Sequence, residues 1–162
     1  MAETLDVQTM IGGKFQPKLN NQFIFELEGV DVFLVKSVTV PSQTTEAKEI
    51  AWINTTRYIA GKTKWKEMTC TLHDPIAPSG MQQIMEWARL CYESVSGRAG
   101  YADMYKRDAA LKMIDPVGNV ISRWDIKGAF ILDYAASELK YEDDNPSEIT
   151  LSIRFDNAVL QY

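Results

Sequence analysis

The stretch EITLSIRFD, residues 148–156, is the segment that best indicates the fold of this chain. Every second residue is apolar and the residues between are polar, the apolar set being Ile149, Leu151, Ile153 and Phe155. Because neighbouring side chains of a strand point to opposite sides, this alternation predicts a β-strand with one buried face and one hydrated face. This strand alone does not indicate the role of its hydrated face, so the rest of the sequence has to be considered.

Similar patterns elsewhere predict a β-rich domain. The segments QFIFELE (residues 22–28) and KEMTCTLHD (residues 66–74) alternate in the same way. The segment VFLVKSVTV, residues 32–40, is rich in β-branched residues and predicts a second strand that ends before Pro41. The sequence DPVG, residues 115–118, predicts a turn between two further strands.

The strand predicted after this turn has one apolar face and one charged face. The apolar face is expected to contain Trp124, Ile126, Phe130 and Leu132, with Gly128 among them. The charged face is expected to contain Arg123, Asp125 and Lys127.

One amphipathic helix is predicted in the middle of the chain. Ser79 followed by Gln82 forms a capping box, which marks the start of a helix. Apolar residues then recur at helical spacing as far as about Val95, and Gly97 and Gly100 are expected to close the segment. The apolar stripe consists of Met81, Ile84, Met85, Ala88, Cys91, Tyr92 and Val95, and Trp87 lies beside it.

The composition is that of an ordinary globular domain. The 162 residues fit one domain, with 46% hydrophobic and 24% charged residues. No apolar run approaches the roughly 18 residues of a membrane-spanning helix, and the N-terminus lacks the pattern of a secretory signal, so no membrane association is expected. The formal net charge of −5 predicts that a folded monomer does not bind DNA phosphates tightly. Cys70 and Cys91 are predicted to be small buried residues without a disulfide.

The sequence has no recognisable arrangement of catalytic or metal-binding residues, so neither an enzyme nor a cofactor is expected. His73 is the only histidine, and its neighbour Asp74 would point to the opposite side of a strand. One histidine and two distant cysteines do not have the spacing of a zinc site. The acidic run of residues 142–144 lacks the glycine and closing glutamate of a calcium loop, so a solvated turn is expected there.

Residues 42–65 form a polar segment that is longer than a turn needs. The part EIAWIN, residues 49–54, is predicted to pair with the residues after Thr55, and such long segments are usually functional or intermolecular. The segment interleaves bases and aromatics, namely Arg57, Tyr58, Lys62, Lys64, Trp65 and Lys66. Such a mixture can bind single-stranded nucleic acid, but nearby glutamates dilute its charge. A subunit contact is favoured, because interfaces are rich in Tyr, Trp and Arg.

The order of strands, hairpin and helix resembles one known family. Its most specific features are N-x-x-x-Y-I-A-G-K at Asn54–Lys62, the strand W-x-x-M-T-x-T-L-H-D that starts at Trp65, and the following helix with Trp87. Together with the last alternating strand, these features resemble the tail tube proteins of contractile-tailed bacteriophages, the T4-like tube protein family. That family is related to the tube proteins of phage-like bacteriocins and secretion systems.

The resemblance implies a mainly β fold of the α+β class, with two packed antiparallel sheets that form a sandwich or partial barrel beside one flanking helix. The whole chain, residues 1–162, would be a single tail-tube domain. Six copies would form a ring whose inner sheets join into one barrel around a channel, and rings would stack into a tube. Residues 1–20 would be an N-terminal arm and residues 42–65 an extended hairpin, and both would contact the next ring.

The resemblance also implies roles for individual residues. Candidates for the ring-stacking interface are Glu49, Trp52, Asn54, Arg57, Tyr58, Lys62 and Lys64. Candidates for the lining of the channel are Glu26, Glu28, Asp125, Glu148, Arg154 and Asp156. A ring of six would carry 6 × (−5) = −30 formal charges, so an acidic lining would repel phosphates and let DNA slide through without specific binding.

The expected partners are further copies of the chain, the sheath protein, the baseplate and tail terminator proteins, and passing DNA. The expected location is the tail of a virion, assembled in the cytoplasm of a host bacterium. Two alternatives stay open. One is the tube of a contractile injection system that delivers a protein cargo, and the other is a β-barrel that binds a small apolar ligand.

Overall fold

The computed structural model describes residues 16–162 of the chain. Its strands are, in chain order, β1 (Phe23–Leu27), β2 (Val35–Val38), β3 (Gln43–Trp52), β4 (Thr55–Trp65), β5 (Met68–His73), β6 (Arg107–Ile114), β7 (Val120–Ala136), β8 (Glu148–Arg154) and β9 (Asn157–Leu160). A 3-10 turn (Val32–Leu34) precedes β2, and the helices α1 (Gly80–Cys91) and α2 (Ala102–Tyr105) lie between β5 and β6. Most of the predicted N-terminal arm, residues 1–15, lies outside the described residues. None of the helices described is both long and apolar enough to cross a membrane.

Two packed antiparallel layers share one long strand. The first sheet contains β1, β6, the first half of β7 and β9, and the second sheet contains β2, β5, β8 and the second half of β7. These strands form one hydrogen-bonded path, β1-β6-β7-β8-β5-β2, with β9 attached to β7. Within the described chain β1 and β2 are not paired with each other, so a single copy is not a closed barrel. The predicted mainly β fold with two antiparallel sheets is confirmed.

The core lies between the two sheets and is built from the alternating positions of both. Phe25 and Leu111 come from the first sheet, and Leu72 and Leu151 from the second. The alternation of residues 148–156 is confirmed, since its four apolar residues are at most 3% exposed. Each such burial contributes on the order of 1.5–3 kcal/mol. Cys70 is also buried as predicted, and burial raises the pKa of its thiol to about 12, which makes it a packing residue.

Two β-bulges in β7 move its side chains between faces. Gly128 has φ +67 and lies where the register with β6 shifts, so Ile126 before it and Ala129 after it are both buried. A second shift lies around Leu132 in the pairing with β8. The predicted single apolar face is therefore wrong beyond Gly128, because Ile131 packs against the core and Leu132 is exposed.

Helix α1 flanks the sandwich and is fixed by its ends and by one tryptophan. The N–H of Gln82 donates to Ser79 Oγ at 3.4 Å, which confirms the predicted start. The helix ends at Cys91 and not near Val95, because Gly100 N–H donates to the Cys91 carbonyl and draws the chain back. Trp87 is buried, and its Nε1–H donates to the Tyr105 carbonyl at 2.6 Å.

The segment of residues 32–40 is not one strand as predicted. Residues 32–34 form the 3-10 turn, and β2 begins only at Val35. The reason is a contact with α1, since Gln83 Nε2 donates to the Asp31 carboxylate at 2.8 Å and Asp31 N–H donates to Gln83 Oε1 at 3.2 Å. These bonds hold the connection against the helix, so it cannot extend into the sheet.

Candidate assembly surfaces

The β3–β4 hairpin projects from the domain as a continuation of the second sheet. In the described chain its strands pair only with each other, from Gln43–Trp65 at the base to Trp52–Thr55 at the tip. At the base, Thr39 N–H donates to Thr69 O at 2.9 Å and Lys66 N–H donates to Ser42 O at 2.8 Å. The β2–β5 pair thus runs on into the hairpin, which extends along the strand direction of the second sheet. This confirms the predicted pairing and leaves all of β3 exposed.

The cross-strand register gives the hairpin two different faces. The register shifts between Thr45 and Ala47, where β4 contains one extra residue at Gly61–Lys62. On either side of this shift, a residue of β3 and its partner in β4 lie on the same face. We call the first side the basic face; it consists of Lys48, Ile50, Trp52, Arg57, Ile59, Lys64 and Glu46. Its Lys64 Nζ donates to Glu46 Oε1 at 2.7 Å, a contact that lowers the pKa of Glu46. The other side is neutral in the main and carries Thr45, Ala47, Glu49, Ala51, Tyr58 and Thr63.

The predicted stacking residues are distributed over both faces of the hairpin. Trp52, Arg57 and Lys64 share the basic face, whereas Glu49 and Tyr58 face each other on the opposite side. Asn54 lies in the turn, and Lys62 lies at the register shift. The structure therefore brings together three of these seven side chains on one surface.

The hairpin tip carries a strained residue that was not among the predicted candidates. Ile53 has φ +48 and is 92% exposed. A β-branched residue in the left-handed region costs roughly 1–2 kcal/mol relative to one with negative φ. Together with Trp52, which is 68% exposed, it presents a large apolar group to solvent at the end of the hairpin. The sequence prediction placed Ile53 inside the pairing segment of residues 49–54, so it gave no signal of this conformation.

The outer face of the second sheet is rich in hydroxyl groups. Ser37, Thr71 and Thr150 lie opposite one another on β2, β5 and β8, and Thr69 lies opposite Ser152 in the next row. We call these five residues the hydroxyl face. These residues are the polar members of the alternating strand patterns, and they lie on the side of the sheet away from the core residues of the same strands.

Charges beside the hydroxyl face are mostly paired. Lys36 forms an ion pair with Glu148, and Arg154 lies 3.6 Å from Glu67. Asp133, opposite Ser152, has no basic partner within the described chain. The face is therefore close to neutral.

The outer face of the first sheet is different, because it carries three ion pairs. Lys112 bonds Glu26 at 2.6 Å, Arg123 bonds Asp125 at 2.7 Å, and a third pair joins Lys127 and Asp108 at 2.5 Å. The bond from Arg123 lowers the pKa of Asp125, and the bond to Asp108 raises the pKa of Lys127. Exposed pairs of this kind contribute little stability, typically below about 1 kcal/mol each.

The six predicted channel residues are divided among these surfaces. Glu26 and Asp125 lie on the outer face of the first sheet, and Glu148 and Arg154 lie at that of the second. Glu28 is in the turn after β1, where its carbonyl accepts a bond from Arg107 at 2.8 Å. Asp156 is in the β8–β9 connection and is bonded by Lys106 at 2.6 Å, which raises the pKa of Lys106. The outer faces of a sandwich point in opposite directions, so no single surface holds all six.

The β7–β8 connection, residues 137–147, borders a surface depression of about 960 Å³. Lys36, His73 and Glu148 line the depression from the second sheet. Leu139, 87% exposed, and Tyr141, fully exposed, project from the connection. His73 is exposed here, and residues 16–162 contain no cluster of three side chains able to hold a metal ion.

Comparisons with known proteins agree with this architecture. The profile of the family described as T4-like virus tail tube protein gp19 matches residues 19–157. No curated protein sequence matches the chain significantly.

Three solved structures illustrate the similarity in fold. A chain of the anti-feeding prophage tube terminating cap has a TM-score of 0.75 at 12% identity, with 97% of this chain and 99% of that chain covered. A chain of the PVC sheath–tube complex, an extracellular contractile injection system in its extended state, has a TM-score of 0.67 at 12% identity, with 98% and 99% covered. Hcp1 from Flavobacterium johnsoniae has a TM-score of 0.55 at 13% identity, with 86% and 94% covered. At these identities, the similarity concerns the fold.

Proposed function

This chain belongs to the family of T4-like virus tail tube proteins, and we propose that it forms the inner tube of a contractile tail through stacked hexameric rings. The observation that carries this proposal is the β3–β4 hairpin, which prolongs the second sheet and has no partner within the described chain. Exposed apolar groups on a projecting element are typical of an interaction site. A tube subunit needs such an element in order to hold the next ring.

We propose that the second sheet lines the channel. Within residues 16–162, both edges of this sheet are available, since there β2 is paired only with β5 and residues 130–136 of β7 are paired only with β8. Pairing of β2 in one copy with β7 in the next would give a continuous wall with four strands from each copy. Such closure removes open strand edges, which otherwise favour aggregation. Each contact joins two different surfaces, as a ring of identical subunits requires.

This arrangement selects among the predicted channel residues. Glu148 and Arg154 would face the channel beside the hydroxyl face, and Glu26 and Asp125 would lie on the outside of the tube wall. The paired charges of the second sheet support a lining that holds no charged polymer tightly. DNA would then pass without specific binding, with the overall acidity of the ring adding a general repulsion of phosphates.

The remaining partners follow from the same proposal. The outside of the tube, with the ion-paired first sheet, would face the sheath protein, and the two ends of the tube would contact baseplate and terminator proteins. The chain would then reside in the tail of a virion assembled in a bacterial cytoplasm. The role is structural, and no enzymatic step is assigned to it.

A second candidate function is the tube of a contractile injection system with a protein cargo. The similarity to tube-associated chains of the anti-feeding prophage and PVC particles supports it. The nearly neutral hydroxyl face suits an unfolded polypeptide as well as DNA. Nuclease protection and mass spectrometry of the contents of purified particles would separate the two functions. A ligand-binding barrel has less support, because side chains fill the space between the sheets.

Electron microscopy of the purified chain over a range of salt concentrations tests the main proposal. We expect the purified chain to form rings and tubes. We expect sheathed particles to contain tubes of the same diameter. Deletion of residues 49–62 should leave a folded subunit that no longer stacks. If neither the free chain nor the particles contain rings of this protein, the proposal is wrong. If the deletion variant forms normal tubes, the stacking role of the hairpin is wrong.

A further inference from the structure

The hairpin and the β7–β8 connection lie at opposite ends of the second sheet. The hairpin continues from the end at which Met68 pairs with Ile153, and the connection begins at the end at which His73 pairs with Glu148. One copy therefore presents these two elements in opposite directions along its strands. Copies aligned head to tail would bring the hairpin of one copy to the connection of the next.

The two elements carry opposite charge. Residues 43–65 contain four basic and two acidic side chains, a net charge of +2, on a chain whose total is −5. Residues 137–147 contain four acidic side chains and one lysine, a net charge of −3. On the basic face, Lys48 and Arg57 have no carboxylate partner within the described chain. Oppositely charged surfaces favour association and select one orientation of the partner.

The two elements also match in their apolar groups. Trp52 and Ile53 project from the hairpin, while Leu139 and Tyr141 project beside the depression at the opposite end of the second sheet. The volume of the depression, about 960 Å³, is ample for the side chains of a hairpin tip. Aromatic anchors that enter a pocket rimmed by polar groups are typical of the centre of an interface.

We propose that the β7–β8 connection and its depression are the receiving surface for the basic face of the hairpin of a second copy. This inference rests on the proposed function and assigns a partner surface to each ring contact. The contact is heterologous and leaves one free hairpin and one free depression at the two ends of any stack, so it propagates without closing. It also gives the tube a polarity, because all hairpins point in the same direction.

A charge-swap experiment tests this contact. The first variant, Lys48→Glu with Arg57→Glu, reverses the basic face, and the second, Glu142→Lys with Asp144→Lys, reverses the receiving surface by the same amount. Each should raise the protein concentration required for tubes by about tenfold or more, while rings still form. In a chain with all four changes, the protein concentration required for tubes should return to within about threefold of the wild-type value, because the attraction is restored with inverted signs.

The control is Glu86→Lys with Asp103→Lys on the two helices, which has the same charge change as the second variant and should leave tube formation unchanged.

The outcomes separate this inference from the proposed function. If both double variants form tubes as readily as the wild type, the proposed contact is wrong and the tube function stands. The same holds if the chain with all four changes forms tubes no better than the weaker double variant. A wild-type chain that gives neither rings nor tubes would overturn the tube function and this contact with it. If tube formation is impaired in each double variant and restored in the chain with all four changes, the two surfaces meet.

Discussion

Gly128 of β7 lies against Asp156 of the β8–β9 connection so closely that a Cβ atom at residue 128 would be 2.3 Å from Asp156 Oδ2. The same carboxylate accepts a bond from Lys106, and Asp156 N–H donates to the carbonyl of Lys127 at 3.1 Å. The bulge of β7 is thus tied to the last connection of the chain. Because β7 carries the chain from one sheet to the other, this contact lies where the two sheets are joined.

We expect Gly128→Ala to destabilise the subunit by more than the strain of positive φ alone, which is about 1–2 kcal/mol. The matched control is Gly97→Ala, since Gly97 has φ +69 and nothing within 4 Å of its missing Cβ. The difference in unfolding free energy between the two variants, measured in urea, isolates the contact with Asp156. Equal losses would contradict it.

Leu151→Ala should lower the free energy of unfolding by about 2–5 kcal/mol, because it removes a fully buried side chain between the sheets. Thr150→Ala on the same strand removes a hydroxyl from the exposed side and should change stability by less than about 0.5 kcal/mol. Denaturant titration of both variants measures the contrast. A similar loss in both would mean that the strand has no hydrated face.

Ile53→Gly should stabilise the hairpin and weaken the tube. Glycine relieves the strain at φ +48, so amide hydrogen exchange in β3 and β4 should slow by about two- to fivefold. The variant also lacks the apolar side chain at the tip, so tubes should require more protein. Ile53→Asn, which tolerates the left-handed region better, should give the same pair of effects. Faster exchange would contradict the strain at Ile53, and unchanged tube formation would show that its side chain has no role in assembly.

The β6–β7 turn should respond to acid through Asp115. Backbone and side-chain hydrogen bonds from Asn119 lower the pKa of Asp115 below its ordinary value of 3.8. A carboxylate whose pKa is lower in the folded state contributes stability above its unfolded pKa, and this contribution is lost as pH falls through the folded pKa. The stability difference between wild type and Asp115→Asn should therefore be largest near neutral pH and shrink below pH 3.8. A difference that is constant with pH would contradict this account.

Local patterns were sufficient for the elements whose neighbours lie close in sequence. The alternation of residues 148–156 predicted β8, the capping box at Ser79 predicted the start of α1, and the DPVG turn predicted the junction of β6 and β7. In each case the decisive interaction is a side-chain period or a bond within a few residues.

Long-range contacts explain the features that were missed. The 3-10 turn at residues 32–34 depends on the bond between Asp31 and Gln83, and the bulge at Gly128 depends on Asp156. The hydroxyl face joins residues of β2, β5 and β8, strands that are far apart in sequence. The pairing of the hairpin faces likewise depends on one extra residue near Gly61, which inverts the side-chain pattern beyond it.

A cryo-EM reconstruction of the assembled tube, at a resolution that separates strands, tests directly whether the second sheet lines the channel. We expect rings of six copies in which the second sheets join into one wall, with Ser37, Thr71 and Thr150 facing the channel. A reconstruction in which the ion pairs of Lys112–Glu26 and Arg123–Asp125 line the channel, or in which no sheet continues from copy to copy, would contradict it.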